Sequence, residues 1–380
     1  MSPVAAILLA KSLRTFCYGF LGILLPVYLA AHGMDAQGVG LAVTCTLVGS
    51  AALTWAVRRP AERLGARAAL GALAVLSMLA AALLLVFDNP WVVVLAAMIG
   101  NLAVGTGETG PFLSIEQVVL ARAVTGPRRT TVLSVYNLLG YAAAGLGAAI
   151  VGLAAPRVLF AIFLGVSLVQ ALLYVRLPGV PVARTTSGAG SSSALIRRLA
   201  ALFALDSFAG GFVLQSLVAY FLHERYGLGL EALGQIFLGA QLVTAASLLL
   251  AARAARRFGL LNTMVVSHLV SNVFLIAIAA APAAWVAVAL LYARQLLSQM
   301  DVPTRQAYVM AVVEDHEREA AATTTTLWRT VAQAVSPTVT GWVMASVALA
   351  APFVLGGGLK IVYDLMLWAT FKDVKPRELT

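Results

Sequence analysis

Apolar runs of roughly 20 residues recur along the whole chain, each long enough to cross a bilayer core of about 30 Å. Within lipid every backbone N–H and C=O must find its partner inside the segment, so such runs fold as helices. Twelve spans can be drawn: 5–31, 37–57, 68–87, 90–121, 130–154, 157–176, 198–222, 231–252, 260–281, 284–312, 321–346 and 350–371. Only 11% of the residues are charged and 61% are hydrophobic, where a soluble domain carries about 25% charged residues. The expected fold class is therefore an all-α polytopic membrane protein. The first run is interrupted by Lys11 and Arg14 and continues to Ala31, so no cleavable leader is expected.

The net charge of +10 raises the possibility of a nucleic-acid partner, but its placement argues against one. Of 26 Lys and Arg, eighteen fall on one side of the twelve spans: Arg58, Arg59, Arg63, Arg67, Arg122, Arg128, Arg129, Arg176, Arg184, Arg197, Arg198, Arg253, Arg256, Arg257, Arg318, Lys372, Lys375 and Arg377. Only Arg157 and Arg225 fall in the opposite loops. This is the positive-inside asymmetry, which predicts a multi-pass protein of the cytoplasmic (inner) membrane with both termini and the central loop cytoplasmic. The partners expected are the lipid bilayer, a small molecule and protons, with the chain itself a monomer.

Between the sixth and seventh spans lies "RLPGVPVARTTSGAGSSSALIRR", whose Pro, Gly and Ser content predicts a flexible linker. The expected organisation is a six-helix bundle at 1–178, a cytoplasmic linker at 179–197 and a second bundle at 198–380. The two halves also match each other. Gly19, Phe20 and Tyr28 match Gly211, Phe212 and Tyr220 at an offset of 192. Gln117, Arg129, Leu138 and Gly152 match Gln306, Arg318, Leu327 and Gly341 at 189, and Gly65 matches Gly259 at 194. The near-constant offset indicates a duplicated six-helix unit. Parallel repeats of this kind place a substrate site at their interface near mid-membrane.

The connection "RRPAERLGAR" carries Ala61, Glu62, Arg63, Leu64, Gly65, Ala66 and Arg67, following the pattern Ala-Asp-Arg-x-Gly-Arg-Arg with Glu for Asp and Ala for one Arg. Arg58 stands at the pattern's leading Gly. With the two six-span halves, this resembles the major facilitator superfamily over nearly the whole chain, and the motif resembles that superfamily's loop between helices two and three. "GPFLSIEQ" and "VPTRQAYVM" resemble paired motifs of bacterial members. "GYAAAGLGAAIVG" in the fifth span is similar to the Gly-rich antiporter helix without its Gly-Pro step. The resemblance implies two pseudo-symmetric bundles, alternating access, and a conformational role for Glu62, Arg63, Gly65 and Arg67. It also implies that helices one, four, seven and ten line a central cavity.

A charge in the hydrocarbon costs roughly 2.5–3.5 kcal/mol on insertion scales, so each needs a partner or a wet cavity. The spans carry eleven: Lys11, Arg14, Glu108, Glu116, Asp206, Arg294, Asp301, Arg305, Arg329, Lys360 and Asp364. Eight of these fall on the four helices that line the cavity in the resembled family. Arg14 stands at the repeat position of Asp206, and Glu116 at that of Arg305, so the halves carry exchanged signs. Arg14 is expected to pair with Glu116, and Asp206 with Arg305. Arg294, Ser298, Asp301, Arg305 and Tyr308 share one helix face, as do Asn101, Gly105, Glu108, Phe112 and Glu116. Thr326, Arg329, Gln333 and Ser336 form a shorter polar face. Lys360 and Asp364, four apart, are expected to neutralise each other on a peripheral helix. Asp301 is expected to be shared between Arg294 and Arg305.

"GTGETGP", with Gly105, Gly107, Gly110 and Pro111 around Glu108, weakens the fourth span. Together with Pro303 in the tenth, these residues are candidate hinges, with close helix packing as the equal alternative. Glu108 has no evident cation at its depth and is the first candidate for proton coupling, with Asp301 second. Met264 and His268 share a face, but two ligands do not make a metal site, so packing and one hydrogen-bonded His are expected. Cys17 and Cys45 lack metal or redox spacing. No cofactor is expected.

The chain contains no Walker A loop, HExxH or GxSxG, which argues against an ATP-driven pump or a hydrolase. The expected function is secondary active transport of a small organic solute, proton-coupled and not enzymatic. With the two pairs closed, Arg329 and Lys11 are left to favour an organic anion or zwitterion. The alternatives are a proton-driven efflux pump for lipophilic cations and a non-transporting receptor or enzyme on the same scaffold. The pathway residues are then Lys11, Arg14, Asn101, Glu108, Glu116, Asp206, Arg294, Asp301, Arg305, Arg329 and Gln333.

Overall fold

A computed structural model describes residues 2–102, 110–124, 127–177, 194–301, 305, 308 and 318–372. Every regular element among them is a helix: α1 (Pro3–Ala31), α2 (Ala36–Val86), α3 (Pro90–Ile99), α4 (Pro111–Ala123), α5 (Pro127–Ala149), α6 (Pro156–Val175), α7 (Ala194–Gly211), α8 (Gln215–Tyr226), α9 (Leu230–Phe258), α10 (Leu260–Ala279), α11 (Ala284–Ser298), α12 (Arg318–Ser346) and α13 (Ala351–Phe371). These make the twelve spans of the expected fold. Helix α2 covers the second and third, α3 and α4 share the fourth, and α7 and α8 share the seventh.

Local chemistry sets the helix ends. Ser2 caps α1 by accepting from the Ala5 N–H at 3.2 Å, with Pro3 in the first turn, where a missing N–H costs nothing. Asp35 accepts from Gly38 N at 2.8 Å to start α2, and Asn89 accepts from Trp91 N at 2.9 Å beside Pro90 to start α3. Helix α8 stops at Gly227, whose φ of 65° is the left-handed C-cap conformation.

The motif around Glu62 is not an open loop. Residues 58–67 continue the helical path of α2, and the turn between the second and third spans is concentrated at Gly65, with φ 87° and ψ 169°. Its repeat partner Gly259 has φ 82° and ψ 162° and joins α9 to α10. That region of backbone space is open essentially only to glycine. The two matched residues therefore perform the same turn.

The chain divides into two compact units, Met1–Arg184 with Leu214–Gln241, and Thr185–Val213 with Leu242–Thr380. Helix α8 belongs to the first of these, where it packs on α1. In the first unit α1 packs closely on α5, and in the second α7 packs on α12. Gly19 and Gly211, repeat partners, sit at these two contacts. A Cβ on Gly19 collides with the Ala144 carbonyl, and one on Gly211 collides with Ser336 Oγ. The core of the first unit gathers Ile7, Leu70, Leu73, Phe112, Tyr136 and Tyr174. That of the second gathers Phe203, Met264, Tyr308, Tyr363, Leu367 and Phe371. The outer helix faces stay apolar, with Trp55, Trp91, Trp285 and Trp342 exposed, as lipid-facing surfaces are.

Candidate functional site

In the first unit four helices converge on one carboxylate. Arg14 on α1 meets Glu116 on α4 through both ends of its fork, Nη1 to Oε1 at 3.0 Å and Nη2 to Oε2 at 2.7 Å. Tyr136 from α5 donates to Oε2 at 2.7 Å, and Tyr174 from α6 donates to Oε1 at 2.6 Å. Arg14 Nη1 also donates to the Tyr174 oxygen at 2.8 Å, and its guanidinium lies 4.4 Å from the centre of the Phe112 ring. Arg14 is 1% exposed and Glu116 fully buried, so these short bonds replace water completely. The repeat arithmetic predicts the Arg14–Glu116 pair. It does not predict the two tyrosines that close the carboxylate's remaining acceptor sites.

The corresponding cluster in the second unit is larger. Arg305 Nη1 donates to Asp206 Oδ2 at 3.2 Å and to Asp301 Oδ2 at 2.6 Å. Asp206, on α7, accepts a shorter bond from Lys360 Nζ of α13, 2.6 Å to Oδ1. Lys360 and Asp364 thus bond other helices rather than each other. Both face inward, and Asp364 is bonded instead to α10, at 2.7 Å from His268 Nδ1 and 3.0 Å from Asn272 Nδ2. One cation and one carboxylate of α13 are therefore buried against α7 and α10. His268 is the hydrogen-bonded histidine that its spacing predicts, and among the described residues no group of three metal-ligating side chains forms.

Among the described residues, two other guanidiniums in this unit bond only neutral groups. Arg294 donates through Nη1 to Gln295 Oε1 at 3.0 Å rather than to Asp301, and its Nε is buried without a partner. Arg329, half-buried on α12, donates through Nε to Ser207 Oγ at 3.0 Å. Lys11 is not left over for a ligand: it is 4% exposed and its ammonium lies 4.6 Å from the centre of the Tyr136 ring. Asn101 is 3% exposed and has a left-handed φ of 52°, and both polar atoms of its side chain lack a hydrogen bond among the described residues. Gln333, half-buried, accepts at its backbone carbonyl from Ser336 Oγ at 3.0 Å. Helix α3 ends at Ile99 and α4 begins at Pro111 behind Gly110, whose φ is 110°. Gly105, Gly107, Glu108 and Pro303 lie outside the described residues.

The model of the Major Facilitator Superfamily matches residues 7–337. The chain belongs to that superfamily. It is 23% identical over 414 residues to an uncharacterised membrane protein of Saccharomyces cerevisiae, YJR124C, covering 95% of this chain and 92% of that one. Among solved structures it is similar in fold to the nucleoside transporter NupG (TM-score 0.79, 16% identity, 98% of this chain and 100% of that one). A D-xylose–proton symporter superposes with a TM-score of 0.75 at 16% identity, over 99% of each chain. The human organic anion transporter MFSD10 superposes at 0.68 with 15% identity, over 96% of this chain and 98% of that one.

Membership of the major facilitator superfamily makes this a multi-pass membrane protein and points to a transporter of a small molecule rather than an enzyme. In the sequence "AERLGAR", Gly65 makes the turn between the second and third spans, Glu62 is half-buried, and Arg63 and Arg67 are exposed. The buried groups absent from the expected pathway are Tyr136, Tyr174, His268, Asn272, Lys360 and Asp364. One signal was present: His268, Ser271 and Asn272 fall at i, i+3 and i+4, a polar stripe on an otherwise apolar helix.

Proposed function

We propose that this chain is a proton-coupled secondary active transporter that moves a small organic anion or zwitterion by alternating access. The observation that carries the substrate class is the pair Arg294 and Arg329. Among the described residues neither has a carboxylate partner; their charges face an amide and a hydroxyl. A guanidinium in a membrane protein is costly unless something negative completes it, and its fork matches a carboxylate or phosphate. The other buried carboxylates of the second unit are already engaged by Arg305, Lys360, His268 and Asn272. The names of similar folds support the class, since they include an organic anion transporter and a proton symporter. Glu108 is the proposed coupling carboxylate on sequence grounds. The eighteen Lys and Arg on one side support cytoplasmic termini in the inner membrane, with two bundles at 1–178 and 198–380.

The test is a thermal-shift panel on the purified full chain, using benzoate and citrate as anions, alanine and betaine as zwitterions, and tetraphenylphosphonium and ethidium as lipophilic cations. An anion or zwitterion raises the melting temperature, and Arg329→Gln or Arg294→Gln weakens that shift. The stabilising compound then accumulates in proteoliposomes in response to a pH gradient, and Glu108→Gln removes that dependence. A panel in which only the lipophilic cations stabilise overturns the anion reading in favour of a cation exporter. Ligand binding without flux overturns transport in favour of a receptor.

A further inference from the structure

The densest group of titratable side chains surrounds His268 on α10, which no part of the transport reading uses. Its Nδ1 lies 2.7 Å from Asp364 Oδ1. Its Nε2 lies 3.4 Å from Lys360 Nζ and 3.7 Å from Asp206 Oδ1. The imidazole thus stands between two carboxylates with an ammonium on one side. His268 is 4% exposed, Asp206 5%, Lys360 6% and Asp364 0%, so water settles none of these contacts.

We infer that His268 is a proton-binding site, and that its protonation exchanges the partner of Asp206 from Lys360 to the imidazole. It rests on the proton-coupled reading only for what the proton is used for. A neutral imidazole has one N–H. Asp364 accepts at 2.7 Å, and Asn272 holds the other oxygen of that carboxylate at 3.0 Å, so the N–H belongs on Nδ1. Nε2 then carries a lone pair and accepts from the Lys360 ammonium, which gives another proton to Asp206 Oδ1 at 2.6 Å. When a hydronium ion delivers its proton to Nε2, an N–H bond forms there and water is left behind. Nε2 changes from acceptor to donor. It repels the ammonium and finds its acceptor in Asp206 Oδ1. Lys360 is released, and deprotonation to water reverses the change.

The neighbours of the ring from each packed helix are consistent with this exchange. Helix α7 presents Asp206. Helix α13 presents Lys360, Asp364 and Tyr363, whose ring centre is 5.9 Å away and edge-on. Arg305 and Asp301 of the tenth span reach the site through Asp206. Arg329 of α12 stops at Ser207. Helix α11 carries Tyr292 and Arg294, neither bonded to His268. Among the described residues, the hydrogen-bonded cluster joins Asp206, Asp301 and Asp364 to Arg305, Lys360 and His268. Because Asp206, His268 and Lys360 come from three helices, the exchange couples one proton to the packing of α7, α10 and α13.

The experiment is ¹⁵N-histidine NMR on the full-length chain in nanodiscs, with His32, His223 and His316 replaced by Gln so that His268 alone reports. Between about pH 8 and about pH 5, the range in which imidazoles change charge, its signals pass from the Nδ1–H tautomer to imidazolium. In Lys360→Met the alkaline Nε2 signal moves to that of a non-bonded lone pair. The acid signal stays in place, because Lys360 has already withdrawn. A ring that keeps one protonation state across the range overturns the site in the histidine-only protein itself, whether or not the Lys360 variant folds. An Nε2–H tautomer at alkaline pH, or a Lys360→Met effect equal at both ends, overturns the exchange. Flux that ignores a pH gradient while His268 titrates removes the proton-coupled reading and leaves the site intact. Gradient-driven flux with a ring that does not titrate removes the site and leaves that reading.

Discussion

Lys360 holds Asp206 at 2.6 Å, closer than Arg305, its repeat-assigned partner, at 3.2 Å. The carboxylate divides its two oxygens between two helices, and all three side chains are buried. Removing one cation from such a cluster leaves charge uncompensated, a loss of about 3–5 kcal/mol. Lys360→Gln is therefore expected to lower the melting temperature of the purified protein sharply. Adding Asp206→Asn removes the stranded charge, so the double variant is expected to melt above Lys360→Gln alone. A double variant that melts no higher means Lys360 contributes packing and not charge.

Arg14 and Glu116 answer to geometry as well as charge. Lysine keeps the charge but cannot span Oε1 and Oε2 together, nor reach the Tyr174 oxygen with the same fork. Arg14→Lys is expected to lose at least one charged hydrogen bond, about 1.5–3 kcal/mol by denaturant or thermal unfolding. Arg14→Glu and Glu116→Arg are each expected to lose more, and their combination to recover part, because the tyrosine hydroxyls can accept from a guanidinium as well as donate to a carboxylate. Recovery stays partial if Phe112, stacked on Arg14, fits only one order of the pair.

How far the fold and the site can be read from sequence follows from how strongly the bilayer constrains each residue. Span count and duplication are legible because lipid tolerates few alternatives to apolar helices, and a repeat keeps its offsets. Arg14, Glu116, Asp206 and Arg305 are legible because charges in hydrocarbon must pair and the repeat places them in sign-swapped positions. Lys360 and Asp364 mislead: spacing of four permits a self-contained pair on one helix, and only three-dimensional packing shows that α13 turns both inward. Tyr136 and Tyr174 are silent for another reason. Tyrosine suits a lipid face, a core and a hydrogen bond alike, so its presence in a span does not distinguish them. Arg294 fails for a local reason, since Gln295 beside it competes for the guanidinium that Asp301 was expected to take.

Gly65 and Gly259 make a matched test of the duplication. Each has φ above 80° and ψ above 160°, where a Cβ is strained whatever the surrounding space. Alanine at either position is expected to cost about 1–3 kcal/mol. With the residues in separate compact units and sharing no partners, the losses are expected to add. Unfolding of the two single variants and the double measures this. A Gly65→Ala protein as stable as the parent means the turn relaxes into an ordinary conformation, and the two glycines are then equivalent in sequence only.

The short connection between α2 and α3 offers a pH test outside the spans. Tyr28 OH donates to Asp88 Oδ1 at 2.8 Å, and Arg157 Nη2 donates to Oδ2 at 3.3 Å. The tyrosine hydrogen bond, aided by the Arg157 charge, holds the Asp88 carboxyl below its ordinary range despite partial desolvation. A folded-state value below the unfolded one stabilises the protein above the unfolded pKa. That contribution fades as pH falls through the folded value. The melting difference between the parent and Asp88→Asn is therefore expected to be level from pH 8 to pH 5, to shrink below about pH 4, where an unfolded aspartate titrates, and then to vanish. The pair is exposed, 73% for Arg157 and 52% for Asp88, so the difference is small and its Arg157 share falls further at high salt. A difference that persists unchanged at pH 3, or disappears already by pH 6, assigns the effect to some group other than this carboxylate.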